Sequence, residues 1–182
     1  MAETKKIVSS PDPYKLLIMN AKSYFLSLFL LLSIVSNAQL KAKVRCDDFT
    51  VDILNGKVND MKADFTLETI KVKFPCYTTA EREDTSSKCG GGVFYKDRDL
   101  LFYTGRDYIQ IGEKFKGKIS LPVMGANRNS FFKTFGNPKI KDDTWDAYQM
   151  QYGTLVLHYN KANKVIKIQM CTLSTDALNL CE

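Results

Sequence analysis

The chain has 182 residues, of which 45% are hydrophobic and 25% are charged, and it carries a formal net charge of +6. This length supplies one domain with a sizeable hydrophobic core. Lysines and arginines are interspersed with acidic residues and form no dense basic stripe, which argues against a nucleic-acid-binding protein.

Residues 1–38 have the pattern of a leader and signal peptide. Lys22 precedes the apolar run YFLSLFLLLSIV at residues 24–35, and Ser36-Asn37-Ala38 forms a small-residue cleavage site. The run is shorter than the about 20 residues that a membrane-spanning helix needs, although a retained anchor is the alternative. Cleavage would leave residues 39–182 as a periplasmic or secreted bacterial protein without a stable membrane span.

All five cysteines follow the predicted cleavage site, where an exported chain meets oxidising conditions. We interpret them first as disulfide candidates, because Cys76 and Cys89 flank a polar loop and Cys171 and Cys181 flank the C-terminal tail. Cys46 is then left over, either free or competing for a partner. Zinc is the weaker alternative, since the chain has one histidine and no C-x-x-C pair. We expect no metal and no other cofactor.

Two stretches, residues 56–111 and 117–169, share one order of predicted elements. They follow an N-terminal extension at 39–55 and precede a C-terminal tail at 170–182. Each stretch opens with a Gly-Lys-apolar triplet, GKV in the first and GKI in the second, and continues into a segment with helical apolar spacing. This parallel indicates an internal duplication.

Capping residues mark both predicted helices. In DFTLETIKVKF, Thr66 is a plausible N-cap and Pro75 follows the last apolar residue. In ANRNSFFKTFG, Asn127 can cap the start, and Gly136 stops the helix shortly before a proline. Each copy therefore begins with a short helix.

Short apolar strands follow in both copies. Residues 100–103 (LLFY) align with 155–158 (LVLH), and residues 108–111 (YIQI) align with 165–168 (VIKI). Isoleucines alternate with polar residues in the latter pair, as expected of strands with one buried face. We predict an α+β fold of two tandem helix-plus-antiparallel-sheet repeats, with the helices packed on one face of the sheet. Two unrelated α+β segments are the alternative.

The glycine run Cys89-Gly90-Gly91-Gly92 leads into a predicted strand. A phosphate-binding loop needs a terminal Gly-Lys-Ser/Thr and a following helix, and neither is present here. The glycines instead favour a tight strand entry or a bulge beside a disulfide.

This layout resembles the secreted β-lactamase-inhibitory proteins, which carry two tandem copies of a helix followed by an antiparallel sheet after a signal peptide. Cys76 and Cys89 lie where those proteins have a disulfide after the first helix. Gly136-Asn137-Pro138 and the closing stretch from Tyr152 to Ile168 also resemble the small outer-membrane-assembly lipoproteins. The resemblance implies the fold, but not β-lactamase as the target, and the lipid-anchoring cysteine of the lipoproteins is absent.

The sequence favours binding over catalysis. His158 is the only histidine, it falls in mid-strand, and no nucleophile motif accompanies it. If the alternating isoleucines are buried, the opposite face of the sheet presents aromatic rings among polar residues, a combination typical of protein interfaces. The predicted partner-binding residues are Tyr103, Tyr108, Trp145, Gln149, His158 and Lys167. The alternative is that the strand phase is wrong and these rings lie in the core.

We therefore predict an exported, non-enzymatic protein-binding module, an inhibitor or immunity protein that sterically blocks a partner enzyme or toxin, with a co-encoded protein as one candidate for that partner. An envelope-assembly factor that binds outer-membrane proteins is the second hypothesis. A small hydrolase or ligand carrier is the third.

Overall fold

The computed structural model describes residues 46–84 and 89–180. Within these residues the chain forms an eight-stranded antiparallel sheet, a three-stranded sheet and two short α-helices. The predicted combination of helices with antiparallel strands is confirmed. The predicted signal peptide at residues 1–38 and Cys181 lie outside the described residues.

The small sheet brings the two Gly-Lys-apolar triplets together. Its strands are β1 (Phe49–Asp52), β2 (Lys57–Val58) and β7 (Gly117–Ile119), in the order β2-β1-β7. Strand β1 pairs antiparallel with β2 and parallel with β7. The two triplets therefore flank one central strand, the first running antiparallel and the second parallel to it.

The large sheet contains the remaining strands. They are β3 (Thr79–Glu81), β4 (Gly92–Tyr95), β5 (Leu100–Tyr103), β6 (Tyr108–Gly112), β8 (Ile140–Lys141), β9 (Trp145–Met150), β10 (Gly153–Tyr159) and β11 (Val165–Cys171). Their order is β3-β4-β5-β6-β11-β10-β9-β8, and every neighbouring pair is antiparallel. In each half the strands run in chain order from the edge to the centre, where β6 and β11 meet.

Thr66 and Gly136 take their predicted places at the start of the first helix and the end of the second, whereas Asn127 caps a 3₁₀ turn that precedes the second helix. Helix α1 (Leu67–Lys73) has Thr66 as its N-cap, whose Oγ1 accepts a hydrogen bond from the Thr69 N–H at 3.3 Å. Helix α2 (Phe132–Phe135) ends at Gly136, where φ is +76°. It is only four residues long, because the preceding residues Arg128–Phe131 form a 3₁₀ turn.

The hydrophobic core lies on one side of the large sheet. Alternate strand residues point into it: Leu100 and Phe102, Ile109 and Ile111, Leu155 and Leu157, Ile168 and Met170. The helical segments contribute Ile70 and Phe131, and β1 contributes Phe49 and Val51. The predicted strand phase is therefore confirmed for these strands, although Ile166 is only partly buried.

The glycine run permits a close crossing of backbones at the entry to β4. Gly91 has φ of +78°, and a Cβ at this position would overlap the carbonyl oxygen of Arg82. The next residue, Gly92, begins β4, where a Cβ would overlap the carbonyl oxygen of Phe102. Only hydrogen atoms fit at these two positions.

The disulfide pairing differs from the prediction. Cys46 is bonded to Cys76, with Cα atoms 5.7 Å apart, and Cys171 is free and buried. Cys89 also belongs to a disulfide. The predicted pairs Cys76–Cys89 and Cys171–Cys181 are therefore wrong. The physical reason is packing between distant segments. Phe49, three residues after Cys46, packs against Phe74, two residues before Cys76, with ring centroids 5.2 Å apart.

Candidate protein-binding face

The predicted binding residues all belong to one face of the large sheet, the face directed away from the core, which we call the outer face. Residues directly opposite each other on neighbouring strands share a face. One row of opposed residues runs Tyr103, Tyr108, Cys171, Thr154, Gln149, and a second row runs Lys167, His158, Trp145. The structure therefore brings the six residues onto one surface, in two rows.

Exposure divides these six residues into two groups. Gln149 is exposed, and Tyr103, Trp145 and Lys167 are partly exposed. Tyr108 is only 1% exposed and His158 only 5%. The expectation that Tyr108 and His158 present their side chains to a partner is therefore wrong in this structure.

The segment after β11 bonds to one row of the outer face. The Tyr108 hydroxyl donates to the carbonyl oxygen of Asn179 at 3.1 Å, and the Thr154 hydroxyl donates to that of Leu173 at 2.7 Å. Thr175 donates through both its N–H and its hydroxyl to Gln149 Oε1, each at 3.0 Å. Residues 170–182 are predicted from the sequence only as a C-terminal tail. The polar residues of this segment do not indicate that it packs against the sheet.

A buried polar chain crosses the middle of the outer face. Gln169, which is fully buried, donates from Nε2 to Gln110 Oε1 at 3.0 Å. Its Oε1 lies 2.8 Å from His158 Nε2, so this nitrogen of His158 carries the proton and donates. The chain joins β6, β11 and β10. Gln110 and Gln169 were not predicted from the sequence. Each is a polar residue between two apolar residues that face the core, and this pattern could have identified both.

A second polar cluster lies on the core face of the large sheet, around Asp146 of β9. Arg128 donates from Nε to Asp146 Oδ2 at 2.9 Å and from Nη2 to Oδ1 at 2.5 Å, while Nη1 donates to the Asp143 carbonyl oxygen. The Tyr159 hydroxyl donates to the same carboxylate at 3.0 Å, and the guanidinium lies 4.8 Å from the Tyr159 ring centroid.

The charges and protons of this cluster are held in place. Hydrogen bonding to Asp146 raises the pKa of Arg128 further above its usual value, and burial raises the pKa of Tyr159. The guanidinium therefore stays charged and the phenol stays protonated. These groups join the segment before α2 to strands β9 and β10, which is a structural role.

Comparison of the chain with protein-family models, curated protein sequences and solved structures finds no match. In the described ranges, no helix is both long and apolar enough to cross a membrane. Across the same ranges, no three His, Cys, Asp or Glu side chains come together as a potential metal site.

Proposed function

We propose that the chain is an exported, non-enzymatic protein-binding module that blocks a partner enzyme or toxin by occupying its surface. The observation that carries this proposal is the strand register, which gathers Tyr103, Trp145, Gln149 and Lys167 on one face while each retains some exposure. Aromatic rings among polar side chains on a rigid sheet are typical anchors of protein interfaces.

The order of strands supports the idea of two tandem repeats. Residues 108–111 and 165–168 fall in the two central strands, β6 and β11, and residues 100–103 and 155–158 fall in the strands next to them. The aligned segments thus occupy equivalent places on either side of the β6–β11 pairing. Two such units sharing one sheet would have the layout of the β-lactamase-inhibitory proteins.

The cysteines support export. The Cys46–Cys76 bond closes a loop with a sequence separation of 30, and Cys89 is oxidised as well. Disulfides persist in the periplasm and outside the cell and are rare in the cytosol. A periplasmic or secreted location follows from this proposal.

The surroundings of His158 favour binding over catalysis. A catalytic histidine works as a base beside a nucleophile or an acid, oriented by a third group. His158 Nε2 donates a hydrogen bond to the amide oxygen of Gln169, within a buried chain of amides. Such a chain suits the cohesion of the sheet better than proton transfer.

The proposal is tested by mixing the full chain, expressed for export, with the product of the neighbouring gene. Size-exclusion chromatography with light scattering should show a one-to-one complex, and the activity of the partner should fall. Tyr103→Ala or Trp145→Ala should weaken binding by about 10- to 100-fold, as truncation of an anchor does. Phe132→Ala is the matched control, because Phe132 is an aromatic residue in α2 that is 63% exposed.

Three results would contradict the proposal. Equal loss of affinity in the Phe132 and Trp145 variants would show that the outer face is not the interface. Recovery of the chain with outer-membrane proteins would instead assign an assembly factor. Turnover of a small-molecule ester or amide that His158→Ala abolishes would assign a hydrolase.

A further inference from the structure

The bonding states of four of the five cysteines restrict the bonding of the fifth. Cys46 and Cys76 are bonded to each other, and Cys171 is free and buried. Cys89 belongs to a disulfide as well. Cys181, which lies outside the described residues, is the cysteine of the sequence that remains. Elimination within one chain therefore makes Cys181 the partner of Cys89.

The residues that lead towards Cys181 cross the outer face. Residues 172–180 follow the last strand, and we call them the strap. The Thr154 hydroxyl on β10 donates to the Leu173 carbonyl oxygen at 2.7 Å, and the Thr175 hydroxyl donates to Gln149 Oε1 on β9 at 3.0 Å. The first part of the strap is therefore bonded to the second half of the large sheet.

The far end of the strap reaches the first half of the sheet. After a 3₁₀ turn at Thr175–Ala177, the Asn179 carbonyl oxygen accepts the hydrogen bond of the Tyr108 hydroxyl at 3.1 Å. Tyr108 is the first residue of β6, and β11 and β10 lie between β6 and β9 in the sheet. The strap therefore crosses from β9 back to β6.

Cys89 lies beside the turn that leads into β6. Its neighbour Gly90 packs closely on this turn, where a Cβ on Gly90 would come within 2.9 Å of the Gly105 Cα. Gly105 is three residues before the start of β6. Two residues of chain, the separation of Cys181 from Asn179, span up to about 7 Å, and bonded cysteines have Cα atoms about 4 to 7 Å apart. The end of the strap is therefore directed towards Cys89.

We propose that Cys89 and Cys181 form a disulfide that fastens the strap at the entry to β4. Formation of this bond removes two protons and two electrons from the two thiols, and the disulfide of an exported oxidant is reduced to a dithiol. The last residues of a domain are poorly ordered unless they are tied down. The strap is bonded to the sheet through side chains of the sheet, and the crosslink adds a covalent tie at its end.

The fastened strap covers buried groups of the outer face. Cys171 is 0% exposed, and its sulfur accepts a hydrogen bond from the Leu173 N–H at 3.2 Å. Tyr108 is 1% exposed. Because the strap also bonds to Gln149, the disulfide determines how much of the outer face a partner can reach. The inference goes beyond the proposed function, since the crosslink forms whatever the partner is.

Peptide mapping without reduction tests the pairing in the wild-type chain, expressed for export. The protein is unfolded in urea with iodoacetamide, which caps the free thiols, and is then digested with trypsin and Asp-N. These enzymes place the last three cysteines on separate peptides, residues 89–96, 168–175 and 176–182. Mass spectrometry should find the first peptide joined to the third, and the second peptide alkylated.

Two results of the peptide map would overturn the proposal. One is an alkylated Cys181, which would show that this thiol is free. The other is a peptide 89–96 joined to a second copy of itself, which would also give a crosslinked dimer on non-reducing electrophoresis.

The double variant Cys89→Ser/Cys181→Ser tests whether the bond holds the strap in place. Cys171 is then the only thiol outside the Cys46–Cys76 bond, so its alkylation by iodoacetamide in the absence of urea reports opening of the strap. We expect the alkylation rate to rise about tenfold or more relative to the wild type, since a segment without its tie opens locally.

The matched control is the double variant Cys46→Ser/Cys76→Ser, which removes the other crosslink and also leaves Cys171 as the reporting thiol. Its alkylation rate should stay within about twofold of the wild type, and circular dichroism should show both variants folded. An unchanged rate in the Cys89/Cys181 variant, or an equal rise in both variants, would show that this bond does not fasten the strap.

The strap and the proposed function can fail separately, because the peptide map needs no partner. If the map joins Cys89 to Cys181 but no protein complex forms, the proposed function fails and the crosslink stands. If a Trp145-dependent complex forms but Cys181 is alkylated, the crosslink fails and the proposed function stands.

Discussion

At the scale of single residues, the buried ion pair between Arg128 and Asp146 has the clearest energetic consequence. Asp146→Asn would remove one charge and leave the guanidinium without its carboxylate. Breaking one partner of a buried pair costs about 3 kcal/mol or more of unfolding free energy. Urea denaturation followed by circular dichroism measures this cost.

Glu68→Gln is the control for that experiment. Glu68 pairs with Lys71 at 3.2 Å on the surface of α1, and its side chain is largely exposed. Exposed pairs contribute about 0.5 kcal/mol or less. Similar losses in the two variants would mean that the Arg128 cluster is not a specific stabilising contact.

The thiol of Cys171 should be unreactive in the folded protein. Burial raises its pKa to about 11, with the Asp107 charge adding to the effect and a hydrogen bond from the Leu173 N–H opposing it. At pH 8 only about one thiol in a thousand is then ionised, and the thiolate is the reactive form. Iodoacetamide labelling followed by peptide mapping should modify Cys171 only after urea is added.

The raised pKa of Cys171 also makes the free energy of unfolding depend on pH. The folded-state pKa of Cys171 lies above the unfolded value of 9.0, so the folded state binds the proton more tightly. Its contribution is therefore complete below pH 9 and is lost as the pH rises towards 11. Cys171→Ala provides the comparison. A free energy of unfolding that rises between pH 9 and 11 in the wild type but not in this variant would contradict the buried position of the thiol.

Alanine substitutions of Gly91 and Gly136 distinguish the cost of steric overlap from the cost of backbone strain. Both have positive φ, +78° and +76°, but a Cβ on Gly136 meets nothing within 4 Å, whereas one on Gly91 meets the Arg82 carbonyl. Gly136→Ala should cost about 1 to 3 kcal/mol, because its φ of +76° and ψ of −152° form a backbone conformation that essentially only glycine adopts. Gly91→Ala should cost clearly more in the same urea titration. Equal costs would show that the crossing near Arg82 can relax freely.

At the scale of elements, the Cys46–Cys76 bond ties the segment before β1 to the end of α1. Replacing both cysteines with alanine frees a loop of about 30 residues in the unfolded chain, which costs about 3 to 4 kcal/mol in the chain-entropy description. Thermal and urea denaturation measure the loss. Cys171→Ala removes a buried sulfur without a crosslink and should cost about 1 kcal/mol.

Local elements were predictable from the sequence because their signals are local. Thr66 and Gly136 mark helix boundaries through capping and positive φ, and both are found in those roles. The alternation of Ile109 and Ile111 with Gln110 gave the correct strand phase. The length of α2 was not predictable to the same degree, because 3₁₀ turns commonly open α-helices and the apolar residues Phe131, Phe132 and Phe135 do not mark where one gives way to the other.

Contacts between distant segments were not predictable from spacing. Cys76 and Cys89 flank one loop, yet the partner of Cys76 is 30 residues earlier in the chain. Tyr108 belongs to the face that the alternation indicated, but Asn179, 71 residues later, accepts its hydroxyl hydrogen bond. The alternation of apolar and polar residues shows which face of the sheet a side chain belongs to. Whether that side chain is buried depends on which other segment packs over it.

At the scale of the whole molecule, the two halves of the large sheet share one core. Core residues come from the first half, such as Phe102 and Ile109, and from the second, such as Leu157 and Ile168. The central strands β6 and β11 pair over five residues, and the side chains of Gln110 and Gln169 bond across the seam. Separation of the halves would expose apolar surface on both.

Unfolding should therefore be a single cooperative transition. Trp145 fluorescence reports the second half of the sheet, and far-ultraviolet circular dichroism reports both halves. The two urea curves should overlay with one midpoint, as expected when no intermediate is populated. Gln110→Ala, at the seam, should move both curves together to lower urea concentration. Two resolved midpoints would instead show that each half folds by itself, so that the β6–β11 seam joins independent units and does not complete one core.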